Sequence, residues 1–324
     1  MARVRYALSS GKRRKSLFGV DQSALQIVVI PYMEDNDMNT DKWIEKNTTS
    51  LSGKCVVVSG STGGLGRALC NHLASLGASL VLLDRGRERS LAFAEELKKE
   101  YGVKVRHITA DMTDMESVKK AAAELISLGV DYLILNAGAY SIPREILETG
   151  YDNVFQINFL SPYYLARRLL PSIRARGGRI IAVGSIAHNY SEIDEGDIDF
   201  RKRDRASLVY GNAKRYLTFA LQNLSMGDVI IAHPGISFTG ITNHYPKLIF
   251  ALIKHPMKLI FMKPRRACLS ILYGLFAHCP SDCWIGPRLF DVWGMPRVKR
   301  LRTATDEERG KIIKNAEKIY EQMK

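Results

Sequence analysis

Six short apolar runs, rich in β-branched residues, alternate along the chain with stretches of helical periodicity, which narrows the choice of fold. The runs are KCVVVSG (54–60), ASLVLLD (78–84), VKVRHITAD (103–111), VDYLILNAG (130–138), GRIIAVGS (178–185) and DVIIAHPG (228–235). Strands that are apolar on both sides belong to parallel sheets covered by helices on both faces. The pattern therefore predicts an α/β fold with a doubly wound parallel sheet of the Rossmann type.

The composition is consistent with one such domain. Of the 324 residues, 46% are hydrophobic and 25% are charged, as is usual for a globular protein with a substantial core. We assign the domain to residues 51–324 and expect a strand over 291–301. Thr305 and Glu308 form a capping box that predicts a closing helix at the C-terminus.

The N-terminal residues 1–50 do not follow the alternating pattern. Residues 1–20 carry six Lys and Arg and no acid, but no amphipathic helix of a targeting segment follows. The apolar stretch 24–33 is too short to span a bilayer. We expect a poorly ordered extension with no part in the chemistry, and Met38 is an alternative start of the protein.

Cysteine and charge patterns limit the partners. Five cysteines at scattered spacings predict no metal site and favour a reducing compartment. No secretory signal or transmembrane run is found, so we expect a cytoplasmic protein. The net charge is +14, and residues 243–302 hold 11 Lys or Arg against two acids. This basic region is a solvated face or contacts an anionic surface or substrate, and it lacks any nucleic-acid-binding module.

A glycine-rich turn, SGSTGGLG (59–66), follows the first strand and opens the first helix. Glycines there allow a tight turn and let a pyrophosphate approach the backbone and the helix N-terminus. We therefore predict that this turn binds a dinucleotide. The residues assigned to it are Ser59, Gly60, Thr62, Gly64, Leu65 and Gly66.

The end of the second strand bears on the choice of cofactor. A carboxylate at Asp84 can accept hydrogen bonds from the adenosine ribose and would repel a 2′-phosphate, which favours NAD. Arg85, Arg87 or Arg89 could counter this charge, so NADP is the alternative. Asp84 could also serve only as a cap at the strand end.

Tyr210 and Lys214 stand four residues apart in YGNAK. On a helix these positions share a face, so an ammonium group would lie beside a phenol and lower its pKa. Such a tyrosine could donate or accept a proton in catalysis. The spacing alone is common in helices.

Taken together, these motifs resemble the short-chain dehydrogenase/reductase family. The resemblance covers roughly residues 51–240, and its motifs stand at strand ends or in the helices that follow. They are the glycine turn, Asp111-Met112, Asn136-Ala137-Gly138, Ser185, Tyr210 with Lys214, and Pro234-Gly235 with Thr239.

The resemblance implies a role for four catalytic residues. Tyr210 would be the general acid/base, and Lys214 would lower its pKa and hold the nicotinamide ribose. Ser185 would hydrogen-bond the substrate oxygen. Asn158, in FQINF, would support a water-linked proton path to Lys214.

The resemblance also implies cofactor contacts. Asp111 would meet the adenine edge, Asn136 would tie the central strands together, and Thr239 would lie near the nicotinamide amide. Met112, Ala137, Gly138, Pro234 and Gly235 complete this predicted set. Ser185, Asn158 and Asp111 could instead only satisfy local backbone groups.

Two further features bear on the substrate. The long connection from Ser185 to Tyr210, with Ala187-His188 after the serine, resembles the retinol-dehydrogenase-like branch, which implies hydrophobic alcohols and aldehydes. The variable region at about 240–304 includes the apolar, Lys-containing segment 245–266, where the family places a substrate lid. That segment is a lid, a patch that contacts a membrane surface, or both.

We therefore predict an NAD(P)-dependent oxidoreductase that interconverts an alcohol and a carbonyl, forming a homodimer or homotetramer as the resemblance implies. Two alternatives are a non-catalytic dinucleotide sensor or scaffold and a sugar-nucleotide epimerase or dehydratase.

Overall fold

The computed structural model of the chain describes residues 37–236 and 262–324. Eight strands of these residues form one sheet in the order β3-β2-β1-β4-β5-β6-β7-β8, parallel except for the antiparallel pair β7 and β8. The strands are β1 (Cys55–Ser59), β2 (Ser79–Asp84), β3 (Val105–Thr109), β4 (Tyr132–Leu135), β5 (Arg179–Val183), β6 (Val229–Ala232), β7 (Cys283–Leu289) and β8 (Trp293–Arg300). The predicted doubly wound sheet is confirmed, and β7 is a strand that the sequence reading did not include.

Helices pack on both faces of the sheet. They are α1 (Asp37–Asn47), α2 (Gly64–Ser75), α3 (Arg87–Tyr101), α4 (Met115–Leu128), α5 (Asn153–Phe155), α6 (Ser161–Ala175), α7 (Ala206–Leu224), α8 (Pro264–Ala267), α9 (Leu269–Tyr273) and α10 (Asp306–Met323). A π-helical turn, Gln156–Leu160, joins α5 to α6, and a 3₁₀ turn, Ile186–Tyr190, follows β5.

Alternate residues of each strand enter two separate cores. In β1, Val57 belongs to the core that contains residues of α4, α6, α7 and α10. Val56 and Val58 point to the other core, with residues of α2, α3 and α9. All three valines are fully buried. This two-sided burial is why the strand sequences are almost continuously apolar rather than alternating.

The closing helix α10 begins as predicted. The Thr305 hydroxyl accepts a hydrogen bond from the Glu308 backbone N–H at 3.2 Å. One face of the helix then packs against α7 and buries Ile312, Ala316 and Ile319 in the core that α7 also lines. α10 thus covers the same face of the sheet as α7.

The structure differs from the prediction of a poorly ordered extension over residues 37–50. Helix α1 packs onto the domain: Ile44 is buried, and the Trp43 ring meets Tyr273 edge-on with centroids 5.4 Å apart. Asp41 forms an ion pair with Arg265 at 2.5 Å. These partners lie more than 220 residues away, so the polar sequence of α1 does not reveal them.

Part of the predicted substrate region lies outside the described residues, namely Thr239 and positions 245–261. After this segment comes the short helix α9, whose Leu269, Ile271 and Leu272 are fully buried. Within residues 37–236 and 262–324, no helix has the length and apolarity needed to cross a membrane.

Candidate active site

A cavity of about 640 Å³ lies at the carboxyl ends of the central strands. Strand order reverses between β1 and β4, and in open α/β sheets ligands bind at this switch point. The structure brings most of the predicted site residues together here. The predicted residues that line the cavity are Gly60, Thr62, Gly64, Leu65, Gly66, Asp84, Arg85, Asp111, Met112, Asn136, Ala137, Gly138, Ser185, Tyr210, Lys214, Pro234 and Gly235.

Ser59 lies behind the cavity wall rather than in it. Its side chain is buried, and its hydroxyl accepts hydrogen bonds from the backbone N–H groups of Asn136 and Ala137, both at 3.0 Å. The hydroxyl therefore joins the end of β1 to the loop after β4. Its role in this structure is to hold the two walls together.

The glycine turn is shaped by close backbone approaches. Gly60 has a positive φ of 66°, and a Cβ there would lie 2.9 Å from Ala137 Cα. A Cβ on Gly66 would lie 2.2 Å from the Gly60 carbonyl oxygen. A Cβ on Gly64 would meet nothing within 4 Å. Among the described residues no side chain caps the N-terminus of α2, so its first amides are available to an anion.

We expect Gly66→Ala to destabilise the protein by about 1–3 kcal/mol, because the backbone of the turn must shift to admit the methyl group. Gly64→Ala is the matched variant, since its methyl group enters open space in the cavity. It should leave the melting temperature unchanged and weaken dinucleotide binding. Denaturant unfolding and cofactor titration of both variants test this. Full dinucleotide affinity in Gly64→Ala would place the ligand elsewhere.

Asp84 lies buried at the end of β2, and its carboxylate is already engaged by the protein. It accepts hydrogen bonds from the Ser61 hydroxyl, the Ser90 hydroxyl (3.2 Å) and the N–H and hydroxyl of Thr62 (3.3 and 3.2 Å). The carboxylate thus ties β2 to the glycine turn. Arg85 and Arg89 are exposed and line the same end of the cavity.

Asp111 and Asn136 also have protein partners. Asp111 accepts hydrogen bonds from the N–H and the hydroxyl of Thr113, at 2.9 and 2.7 Å. The Asn136 amide donates to the carbonyl oxygens of Ser59 and Gly60, both at 3.0 Å. Asn136 therefore connects the ends of β4 and β1 beside the cavity.

Asn158 lies in the π-helical turn and is fully buried. Its amide nitrogen donates to the carbonyl oxygens of Ala139 and Val154, at 2.8 and 2.9 Å. Its amide oxygen accepts the Ala139 N–H at 3.2 Å. π turns commonly occur at functional sites. In this structure the side chain supports the wall of the cavity from behind.

Tyr210 and Ser185 meet in the cavity. Both side chains line it, and the Ser185 hydroxyl lies near the phenol. Burial raises the pKa of Tyr210 to about 12, and the Ser185 hydroxyl opposes this rise. We predicted a pKa lowered by Lys214, and the structure shows the opposite net direction because desolvation of the phenolate dominates. Tyr210 is therefore a protonated donor at neutral pH.

Lys214 lies on the same face of α7, with its Nζ 5.7 Å from the centroid of the Tyr210 ring. Its ammonium group donates to the Val183 carbonyl oxygen at 2.9 Å. Burial lowers the pKa of Lys214 to about 8. A charged group held in this way is available to hydroxyl groups of a ligand or to a phenolate.

Several cavity residues were not predicted from the sequence. The Tyr140 ring meets that of Tyr210 edge-on, with centroids 5.3 Å apart. Ile142, Ile186 and Ile236 also line the cavity. Tyr140 directly follows Asn136-Ala137-Gly138-Ala139, so its place near the site could have been found from the sequence. The isoleucines carry no such signal.

Comparison with known proteins identifies related oxidoreductases. The model of the short chain dehydrogenase family matches residues 54–195. An uncharacterized oxidoreductase of Schizosaccharomyces pombe is 30% identical over 78% of this chain and 80% of its own length. Polyprenol dehydrogenase of Mus musculus is 28% identical over 79% of this chain and 80% of its own length. Retinol dehydrogenase 13 of Homo sapiens is 30% identical over 60% of this chain and 62% of its own length.

Solved structures share the fold. An uncharacterized protein from Mycobacterium paratuberculosis superposes with a TM-score of 0.65 at 24% identity, covering 86% of this chain and 96% of that one. L-Sorbose reductase from Gluconobacter frateurii gives a TM-score of 0.55 at 24% identity, covering 70% and 92%. With the fold, the ordered motifs and the relatives in agreement, this chain belongs to the short-chain dehydrogenase/reductase family of oxidoreductases.

Proposed function

We propose that the protein interconverts an alcohol and a carbonyl compound on a hydrophobic substrate, with a nicotinamide dinucleotide as cofactor. The observation that carries the proposal is the half-buried pair of hydroxyl groups, Tyr210 and Ser185, on the wall of the cavity beside Lys214. One hydroxyl can transfer a proton while the other donates a hydrogen bond to the same oxygen. That is the requirement of a reaction in which charge develops on a substrate oxygen.

The cavity fits a dinucleotide on its own features. Gly64 leaves open space at an uncapped helix N-terminus, and the exposed Arg85 and Arg89 line the same cavity. Gly60, Thr62, Gly64 and Leu65 would hold the pyrophosphate, and Lys214 the nicotinamide ribose. The nicotinamide ring supplies or accepts the hydride when bound.

The protein residues supply the proton. In reduction, the Tyr210 hydroxyl gives its proton to the substrate oxygen, while Ser185 donates a hydrogen bond that stabilises the growing negative charge. In oxidation, the Tyr210 phenolate removes the hydroxyl proton of the alcohol. Below its pKa of about 8, Lys214 is charged and stabilises that phenolate from the same face of α7.

The apolar lining supports a hydrophobic substrate. Tyr140 stands against Tyr210, and Ile142, Ile186 and Ile236 line the same cavity. Apolar walls with a few polar groups favour ligands whose bulk is hydrocarbon. Two relatives carry the names polyprenol dehydrogenase and retinol dehydrogenase 13, and both names denote apolar alcohols.

A thermal-shift series with NAD, NADH, NADP and NADPH tests cofactor binding. At 100 times Kd a ligand stabilises the folded state by about 2.7 kcal/mol, which raises the melting temperature by roughly 5 °C.

The charge of Asp84 favours NAD, whereas Arg85 and Arg89 favour the 2′-phosphate of NADP. We expect Arg85→Ala to weaken NADPH binding about tenfold more than NADH binding.

Arg87→Ala is the matched control, because Arg87 is exposed at the start of α3 and is not among the cavity residues. It should bind both cofactors as the wild type does. No shift with any of the four cofactors would contradict the enzyme proposal. Binding without turnover on steroid, retinoid and aliphatic alcohols would favour the sensor alternative.

A further inference from the structure

His188 lies three residues after Ser185 and is completely buried. Its Nδ1 lies 2.6 Å from the Ser185 carbonyl oxygen, and its Nε2 lies 2.8 Å from the Thr303 hydroxyl. A carbonyl oxygen can only accept, so Nδ1 carries the proton and Nε2 accepts from the Thr303 hydroxyl. The imidazole thus connects the loop after β5, residues 185–190, to the segment between β8 and α10, residues 301–305.

A second connection runs beside the first. Arg215 follows Lys214 on α7 and is buried. Its guanidinium donates to the His188 carbonyl oxygen at 2.8 Å and to the Thr303 carbonyl oxygen at 2.7 Å. It also forms a two-pronged ion pair with Glu308 of α10, at 2.6 and 2.5 Å. Helix α7, the loop after β5 and the chain from Thr303 to Glu308 are therefore joined by one hydrogen-bond network.

Aromatic rings fix the imidazole plane. The Trp284 ring meets His188 edge-on with centroids 5.3 Å apart, and Phe219 packs on it at 6.1 Å. Burial lowers the pKa of His188, which keeps the ring neutral and both hydrogen bonds in the stated direction. A buried ring held at four points has little freedom to turn.

We propose that His188 is a positioning residue for Ser185 and that the C-terminal segment sets its orientation through the Thr303 hydroxyl. The proposal rests on the proposed function, in which the Ser185 hydroxyl contacts the substrate oxygen. The Ser185 carbonyl oxygen accepts from both the Nδ1–H and the backbone N–H of His188, at 2.6 and 3.2 Å, and the Ser185 hydroxyl accepts the Ala187 N–H at 3.2 Å. Displacing any of these bonds moves the hydroxyl from the place where the reacting oxygen needs it.

Thr303→Val and Thr303→Ser test the proposal, since Thr303 is exposed and lies outside the cavity. Valine removes the hydroxyl and keeps the shape, whereas serine restores the donor. With the best alcohol or aldehyde of the wild type, Thr303→Val should lower kcat about three- to tenfold and leave the cofactor Kd unchanged. Thr303→Ser should match the wild type. A wild-type kcat in Thr303→Val would overturn the proposal.

His188→Asn and His188→Leu give a second comparison. The asparagine amide can replace the Nδ1 donor, and leucine cannot. His188→Asn should retain more of the wild-type kcat than His188→Leu at equal cofactor affinity. Equal loss in both variants would mean that His188 acts only as packing.

A readout without turnover separates this proposal from the proposed function. In the cofactor-free protein, the ¹⁵N shifts of His188 should show a protonated Nδ1. Thr303→Val should move the ¹³C signal of the Ser185 carbonyl, and Thr303→Ser should not. A protonated Nε2, or an unmoved Ser185 signal, would overturn the positioning role even if the enzyme is active. Turnover that fails on every alcohol and aldehyde would overturn the proposed function alone.

Discussion

Replacing Tyr210 by phenylalanine is expected to lower kcat by about 10²–10⁴-fold, because it removes the group that transfers a proton to the substrate oxygen in our scheme. Ser185 can donate a hydrogen bond, but the scheme needs a second hydroxyl for the proton. The phenyl ring still fills the space beside Tyr140, so cofactor Kd and melting temperature should change little. Steady-state kinetics and cofactor titration measure the two effects separately.

Tyr140→Phe is the control for this experiment. Tyr140 lines the same cavity and contacts the Tyr210 ring, so the variant removes a neighbouring hydroxyl with the same change of volume. It should retain kcat within about fivefold, the scale of one neutral hydrogen bond. Turnover retained by Tyr210→Phe would refute its assigned role.

The pH dependence of the two directions should differ. With a pKa of about 12, Tyr210 is protonated throughout the neutral range and can donate in reduction. Oxidation needs the phenolate. As long as the pH is below the pKa of Tyr210, each increase of one pH unit raises the phenolate fraction about tenfold. The oxidation rate should therefore rise with pH, and Tyr210→Phe should lose that dependence.

Replacing Lys214 by methionine is expected to abolish most activity and to make the cofactor-free protein more stable. Burial lowers the pKa of Lys214 from its ordinary value of 10.5 to about 8. Since one pKa unit corresponds to about 1.4 kcal/mol, keeping Lys214 charged in the folded protein at neutral pH costs about 3 kcal/mol of folding free energy. Methionine removes that cost and forfeits the hydrogen bond to Val183, about 1 kcal/mol. The net gain of about 2 kcal/mol corresponds to roughly 3–6 °C in melting temperature.

The sign of the pH effect follows from proton binding. Between pH 8 and 10.5 the unfolded chain binds more protons at Lys214 than the folded chain does, so wild-type stability from this group rises with pH across that window. The advantage of Lys214→Met is therefore largest below pH 8 and disappears above 10.5. Lys99→Met, at an exposed position of α3, is the control and should show no gain. A lower melting temperature in Lys214→Met at pH 7 would contradict the cost assigned to the buried charge.

The parallel strands were predictable because their burial determines a local sequence pattern. Each parallel strand is covered on both faces, so each appears as a continuous apolar run of the right length. The antiparallel strand β7 was not predicted because Gly286 and Pro287 interrupt its apolar run. Helix α1 was not predicted because its sequence is polar and because its contacts with Tyr273 and Arg265 join residues that are distant in the sequence.

The site residues were predictable as a set, but their individual interactions were not. Motifs at successive strand ends converge because parallel strands share one carboxyl edge. Sequence does not show that Asp84 is engaged by Ser61 and Ser90, or that burial raises the pKa of Tyr210. Such properties depend on which side chains the fold brings around a group and on how much water it removes.

The pairing of Asn158 with Ala139 has a consequence for binding. By engaging both the N–H and the carbonyl of one residue, the amide makes the two bonds that a neighbouring strand would make. The loop after β4 is thereby built as if it were part of the sheet. A ligand that contacts Gly138 or Tyr140 then meets a preorganised surface, and little of its binding energy is spent on ordering that surface.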